Sequence, residues 1–184
     1  MHTLHYIAVE AESKQEAFDK VVVSLLPNDD GYRLADWSDW HVVGGGRWSS
    51  AVQKSKDFMD SYANDSTDVI GYTENKEKFE KAIEGVLKWR SETMNRNLSE
   101  IKTDKFISDI VEYISDGSSG KWYSDIMNNY TIKQTVDMML GSYIPDSGFY
   151  DNVDNTPDIG YLKERLDNPE QAPLQYLVPV DFHF

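Results

Sequence analysis

The chain has 184 residues and a mass of 21.1 kDa, which fits one domain that folds without disulfides or structural metals. Its 18 basic and 32 acidic residues give a formal net charge of −14. That charge argues against a nucleic-acid binder that depends on its overall field, and against adhesion to anionic membranes. No cysteine is present, so disulfides, thiolate zinc sites, iron–sulfur clusters and cysteine nucleophiles are excluded.

The first predicted element is a strand over residues 3–10. Its apolar residues follow one another without a break, which is typical of a strand covered on both faces. His2 lies just before this strand, and we expect that residue to be frayed. A helix should follow, because Ser13 and Glu16 have the spacing of a capping box, and Pro27 should end it. The chain starts without the basic segment and long apolar run of a signal peptide, and no segment has the roughly 18 apolar residues that span a bilayer.

A triple glycine separates a predicted strand, Trp40–Val43, from Arg47 and Trp48. Consecutive glycines let the backbone reach positive φ, and successive amides in such a turn form an anion-binding nest. Arg47 adds a planar donor fork suited to phosphate, and the two tryptophans are suited to stack on a base. The alternative is a tight hairpin whose tryptophans lie in the core and whose arginine meets a local carboxylate. The candidate binding residues are Asp39, Trp40, Gly44, Gly45, Gly46 and Trp48.

The middle of the chain is predicted to be helical. One long helix should cover residues 79–98, a second 103–114 and a third 122–140. Glu–Lys pairs four residues apart, such as Glu77 and Lys81, favour a solvated helix. A nucleic-acid contact face on this helix is the alternative.

The last third of the chain is predicted to be loop over residues 142–157, followed by a short helix over 161–166. Four aspartates in this region lack the spacing and the central glycine of an EF-hand, so a solvated loop is preferred to a calcium site: Asp146, Asp151, Asp154 and Asp158. Apolar residues then alternate from Tyr176 to Phe184, which predicts a half-buried strand. Pro179 favours an edge position for it, because proline cannot donate a ladder hydrogen bond.

The C-terminal strand carries a candidate acid–base pair. Asp181 and His183 are two residues apart, so they project from the same face of the strand. A carboxylate beside a histidine holds its tautomer, and the histidine then serves as a general base or acid. We take His183, Asp181, Arg47 and His41 as the candidate catalytic residues, with a solvent-facing pair near the terminus as the alternative. No two histidines have metal-ligand spacing, so neither a metal nor a cofactor is expected.

The predicted architecture is one α+β domain over residues 1–184. The N-terminal strand, Trp40–Val43 and the C-terminal strand should form a small sheet from residues 1–70 and 170–184. The first helix should cover one face of that sheet. Residues 73–140 should form a helical insertion or lobe.

Three pieces of the chain resemble small uncharacterised proteins of phages and other mobile elements. Those proteins share an Asp-Trp segment with Gly-Gly-Arg-Trp, an N-terminal strand such as His-Tyr-Ile-Ala-Val, and a Val-Asp-x-His-x tail. The matching pieces are residues 4–9, 39–48 and 180–184, with one extra glycine before the arginine. The resemblance implies that the three pieces meet in one site, and that its recurrent polar residues are Asp39, Arg47, Asp181 and His183.

A second resemblance, in size, charge and N-terminal pattern, is to anti-CRISPR proteins of Gram-positive mobile elements. Some of those resemble small α+β proteins that disable Cas9 by acting on its guide RNA. This implies a counter-defence protein in the cytoplasm of a bacterial host, with a Cas9-type nuclease or its guide RNA as partner and no membrane partner. The enzymatic interpretation is metal-independent cleavage of RNA, with His41 as a second proton carrier.

Two non-enzymatic interpretations stay open. An acidic inhibitor with a charge of −14 would occupy a basic nucleic-acid groove of a host defence enzyme. A nucleotide sponge would instead hold its ligand between Arg47 and the tryptophans.

Overall fold

The computed structural model describes residues 2–27, 34–49, 65–100, 130–145 and 147–184. Within these ranges the chain forms helices and one mixed sheet, which confirms the predicted α+β class. The strands are β1 (His2–Glu10), β2 (Trp40–Val43), β3 (Ile70–Gly71), β4 (Phe149–Asp151) and β5 (Gln175–His183). The α-helices are α1 (Lys14–Ser24), α2 (Lys76–Glu100), α3 (Tyr130–Met139) and α4 (Ile159–Asp167), and a 3₁₀ turn, Ala172–Leu174, precedes β5.

The sheet has the order β2-β5-β1-β4, and β3 also pairs with β5. β1 and β5 are antiparallel over their whole length, from His2 opposite His183 to Glu10 opposite Gln175. β4 is parallel to β1. The three strands predicted from the sequence therefore share one sheet, and the ends of the chain lie side by side in it.

The C-terminal strand lies at the centre of the sheet, so the predicted edge position is wrong. The carbonyl of Pro179 accepts a hydrogen bond from the amide of Gly44 at 2.8 Å. Because the N and C=O of one strand residue point the same way, the proline nitrogen faces that side too. That position lies between the part of β5 paired with β2 and the part paired with β3, so the sheet does not need a donor there.

Apolar residues cover both faces of the sheet. On one face α1 contributes Phe18 and Val21 to a core with Ile7 and Val9 of β1 and Val178 of β5. On the other face lies a second core, made by Ala8, Ile70, Phe79, Ile83, Val86, Phe149, Ile159, Leu162 and Leu177. β5 is thus buried on both faces along nearly its whole length, rather than half-buried as its alternation predicted.

The long middle helix α2 lies directly on the sheet, through the residues that it gives to the second core. The predicted helix over 103–114 lies outside the described residues, and the described end of the third predicted helix is α3. The segment predicted as loop contains β4, and the short helix predicted over 161–166 is α4. None of the helices in the described ranges is long and apolar enough to cross a membrane.

Candidate functional site

Asp181 is the centre of the site. It lies on β5 opposite Leu4 and Val42, with a fully buried side chain. Its Oδ1 is 2.9 Å from Nδ1 of His2, and its Oδ2 accepts the backbone N–H of Arg47 at 3.1 Å. An ionised carboxylate only accepts hydrogen bonds, so Nδ1 of His2 is the donor of this pair, and in the neutral ring the lone pair is then on Nε2. One carboxylate thereby joins three distant parts of the chain.

The glycine turn brings its backbone against this carboxylate. Gly44, Gly45 and Gly46 have φ values of 92°, 92° and 47°, which side-chain-bearing residues rarely adopt. A Cβ at Gly46 would lie 2.7 Å from both Cβ and Oδ2 of Asp181, so only glycine allows this approach. The turn was predicted to hold an anion, and the anion on the amide of Arg47 is the carboxylate of Asp181.

The guanidinium of Arg47 lies near the carboxylate of Asp181 without a hydrogen bond from its Nε. Its Nε is 3.9 Å from Oδ2 of Asp181, which is an ion-pair distance but too long for a hydrogen bond. That Nε is buried and makes no hydrogen bond to any described residue, while 36% of the side chain is exposed. The arginine therefore lies at ion-pair distance from a carboxylate that is nearby in space, and its side chain stays partly exposed, as an anion-binding guanidinium needs to be.

His183 lies beside His2 rather than on Asp181. Its ring stacks on Trp40, with centroids 5.0 Å apart and planes 8° apart, and it meets the ring of His2 edge-on at 4.9 Å. Its Nδ1 is 3.4 Å from Oδ2 of Asp39. The expected pairing of Asp181 with His183 is therefore replaced by two pairs, Asp181 with His2 and Asp39 with His183.

His41 does not reach this group. It pairs with Phe182 in the ladder, and odd and even positions of a strand face opposite sides, so it faces away from Asp181 and His183. His5 is on that same far side, fully buried against Trp37 and Tyr143. Burial lowers the pKa of His5 to about 3, so its ring is neutral near pH 7.

A cleft of about 450 Å³ begins at His2 and runs between β1 and α2. Tyr6 and Trp48 line it on one side, Lys81 and Trp89 on the other. Trp40 and Trp48 are 37% and 42% exposed, so neither is a core anchor as the hairpin alternative required. A larger, more open depression lies elsewhere and contains none of the candidate residues.

The residues that sequence reasoning missed are His2, Lys81 and Trp89. His2 was expected to be frayed, yet only 14% of its side chain is exposed. The signal that could have placed it is the register: if the first and last strands pair antiparallel to their ends, His2 meets His183. No sequence period links Lys81 or Trp89 to β1, because their proximity depends on how α2 crosses the sheet.

The C-terminal aspartates have structural partners. Asp151 and Asp154 both bind the guanidinium of Arg165, and the side chain of Asp158 accepts the amide of Gly160 to cap α4. Asp146 lies outside the described residues. In the described part of the chain, no three histidine or carboxylate side chains are grouped so as to hold a metal ion.

No protein-family model, curated protein or solved structure matches this chain.

Proposed function

We propose that this protein cleaves RNA by metal-independent transphosphorylation at the end of the sheet where β1 begins and β5 finishes. The observation that carries the proposal is the pair of oxygens of Asp181, which hold His2 on one side and Arg47 on the other. His183 adds a second imidazole in contact with the first. Two histidines and an arginine supply the general base, the general acid and the positive charge that phosphodiester transfer without a metal uses.

Each residue takes a defined role in the reaction. Asp181 holds the Nδ1–H tautomer of His2, so Nε2 is available to accept the proton of a ribose 2′-hydroxyl. The 2′-oxygen then bonds to phosphorus while the bond from phosphorus to the 5′-oxygen breaks. Protonated His183 donates to that leaving oxygen, and Arg47 stabilises the charge on the phosphorane. The products are a 2′,3′-cyclic phosphate and a 5′-hydroxyl.

The biological setting rests on the sequence resemblance alone. If the chain is a counter-defence protein of a mobile element, its substrate is the guide RNA of a Cas9-type nuclease. The local site supports RNA chemistry, and the net charge of −14 supports close approach to a basic protein that carries the RNA.

The experiment incubates end-labelled guide RNA, with and without Cas9, and resolves the products on a denaturing gel. We expect cleavage by the unaltered protein and a loss of about 10²–10⁴-fold in His2→Ala and in His183→Ala, the usual contribution of a positioned general base or acid. His41→Ala is the matched control, because His41 lies on the other face. RNA with a 2′-deoxy substitution at the cleaved position should not react.

Intact RNA at high protein concentration would contradict the enzymatic proposal. Full inhibition of Cas9 by both His2→Ala and His183→Ala would instead favour the acidic binding protein, which needs only the charge of −14 to compete for a basic groove.

A further inference from the structure

One wall of the cleft at His2 is a single stripe of α2. Lys81, Gly85 and Trp89 are four residues apart, so they lie on one face of the helix, and all three line the cleft. A Cβ added at Gly85 would meet no atom within 4 Å. Glycine is among the poorest helix formers, yet here it leaves open space between the lysine and the tryptophan. The helix thus has a gap where the cleft is.

Two indoles face this gap. Trp48 is 42% exposed and Trp89 is 38% exposed, and both line the cleft together with Tyr6 of β1. The volume of about 450 Å³ is within the usual range for small-molecule pockets. Exposed indoles lining a pocket of this size suit a flat ring system, because stacking on an aromatic face needs no particular hydrogen-bond pattern.

Among the described residues, the cleft lining includes one lysine, Lys81, and no carboxylate. The partner of Lys81, Glu77, is a solvent-exposed carboxylate 2.6 Å away on the same helix. Exposed pairs of this kind contribute little to stability, so Lys81 can turn to an anion at small cost. His2 also lines the cleft, and through Asp181 it is joined to Arg47. The ligand that fits both features is flat and aromatic at one end and anionic at the other.

We propose that the cleft is a base-binding subsite that takes the planar base of a ribonucleotide, with the attached phosphate toward Lys81 and His2. This inference rests on the proposed function, because it names where the nucleotide beside the cleaved bond is held. An uncharged apolar ligand would leave the lysine unused, and a sugar phosphate would leave the indoles unused.

The test measures binding of adenosine 3′-monophosphate by equilibrium dialysis, with ribose 5-phosphate as the ligand that lacks a base. We expect ribose 5-phosphate to bind at least about tenfold more weakly, within the range of base–aromatic stacking. Gly85→Leu fills the gap with a residue that favours the helix, so the melting temperature should not fall. The affinity for adenosine 3′-monophosphate should fall by at least about tenfold. Ser91→Leu is the matched control, since Ser91 is an exposed, neutral residue of α2 outside the cleft.

Unchanged nucleotide binding in Gly85→Leu, or equal binding of ribose 5-phosphate, would overturn the subsite. Cleavage assays on the same variants separate it from the proposed function. Nucleotide binding that depends on Gly85 without any RNA cleavage would leave the subsite standing and remove the ribonuclease. RNA cleavage with the same KM in Gly85→Leu and in the unaltered protein would support the ribonuclease and remove the subsite.

Discussion

Two buried carboxylates lie toward opposite ends of the sheet, and their surroundings differ. Asp181 is in register with Leu4 near the start of β1, whereas Asp151 is in register with Ala8 near its end. Both side chains are 0% exposed. Asp151 is held by Arg165, whose side chain is only 8% exposed, while Asp181 is held by His2 and by the partly exposed Arg47. Asp151 and its partner Arg165 are both buried, whereas Asp181 is buried but contacts partners that are partly exposed.

Arg165 and Arg47, the arginines beside the two carboxylates, also differ in their hydrogen bonds. Nε of Arg165 donates to Gln175, and its two terminal nitrogens donate to Asp154 and Asp151, so each of the three nitrogens makes a hydrogen bond. Burial raises the pKa of Asp151, and the hydrogen bonds and charge of Arg165 oppose that shift. Among the described residues, Arg47 binds Asp181 through its backbone N–H, and its guanidinium lies at ion-pair distance from the same carboxylate without a hydrogen bond from Nε. A buried arginine held through all three nitrogens stabilises the fold, whereas the partly exposed guanidinium of Arg47 is the one that a ligand can reach.

Removing Arg165 should give the largest effect on stability. Arg165→Met leaves Asp151 buried without its counter-charge, and breaking a buried pair this way costs about 3–5 kcal/mol. Urea denaturation followed by circular dichroism measures the free energy of unfolding. Asp154→Asn is the control, because that partner is 36% exposed and should cost less than about 1 kcal/mol. A loss of less than about 1 kcal/mol in the free energy of unfolding of Arg165→Met would show that Arg165 does not stabilise the end of the sheet around Asp151.

Changing Arg47 should affect activity far more than stability. Arg47→Lys keeps the backbone amide that binds Asp181 but replaces the planar fork with a point charge. We expect RNA cleavage to fall about 10²-fold, the usual effect of removing one preorganised donor, while the urea midpoint stays nearly unchanged. An equally large loss of stability would mean that Arg47 serves the fold as Arg165 does.

The two histidines of β1 differ in the same way, because His5 is fully buried whereas His2 lines the cleft. His5 is sealed, with a pKa lowered by burial to about 3, well below the value of 6.5 expected in the unfolded chain. Stability from its neutral ring is therefore complete above about pH 6.5 and is lost as the pH falls toward 3. Between pH 7 and 5 we expect the free energy of unfolding to drop by about 2 kcal/mol. His5→Phe should remove that drop, and an identical pH profile in His5→Phe would contradict the sealed position.

The sequence predicts the parts of this molecule that depend on local pattern. The side chain of Ser13 accepts the amide of Glu16 as the capping box predicted, and the alternating apolar residues of β5 are buried. The pattern fails where a polar residue is buried by a distant partner. Asp181 was read as facing solvent or a substrate, but its partners are 179 and 134 residues away in the chain.

The sequence pattern also did not predict the two shortest strands, β3 and β4. β3 has two residues and β4 has three, which is too few for a period to appear. These strands exist because neighbouring strands supply their hydrogen bonds, so their position is a tertiary property. The candidate site was predicted in its segments but not in its pairing, since a one-dimensional pattern does not say which histidine meets which carboxylate.

The smallest predicted effect concerns Asp39, the exposed counterpart of Asp181. Its side chain is 70% exposed and lies 3.4 Å from His183, whose ring is already held by stacking on Trp40. Asp39→Asn should therefore change the free energy of unfolding by less than about 1 kcal/mol, as for other exposed ion pairs. Asp181→Asn should cost more, about 1–3 kcal/mol, because an amide offers only one acceptor where both His2 and the amide of Arg47 donate. Equal costs for the two substitutions, measured by urea denaturation, would show that burial does not distinguish the two carboxylates.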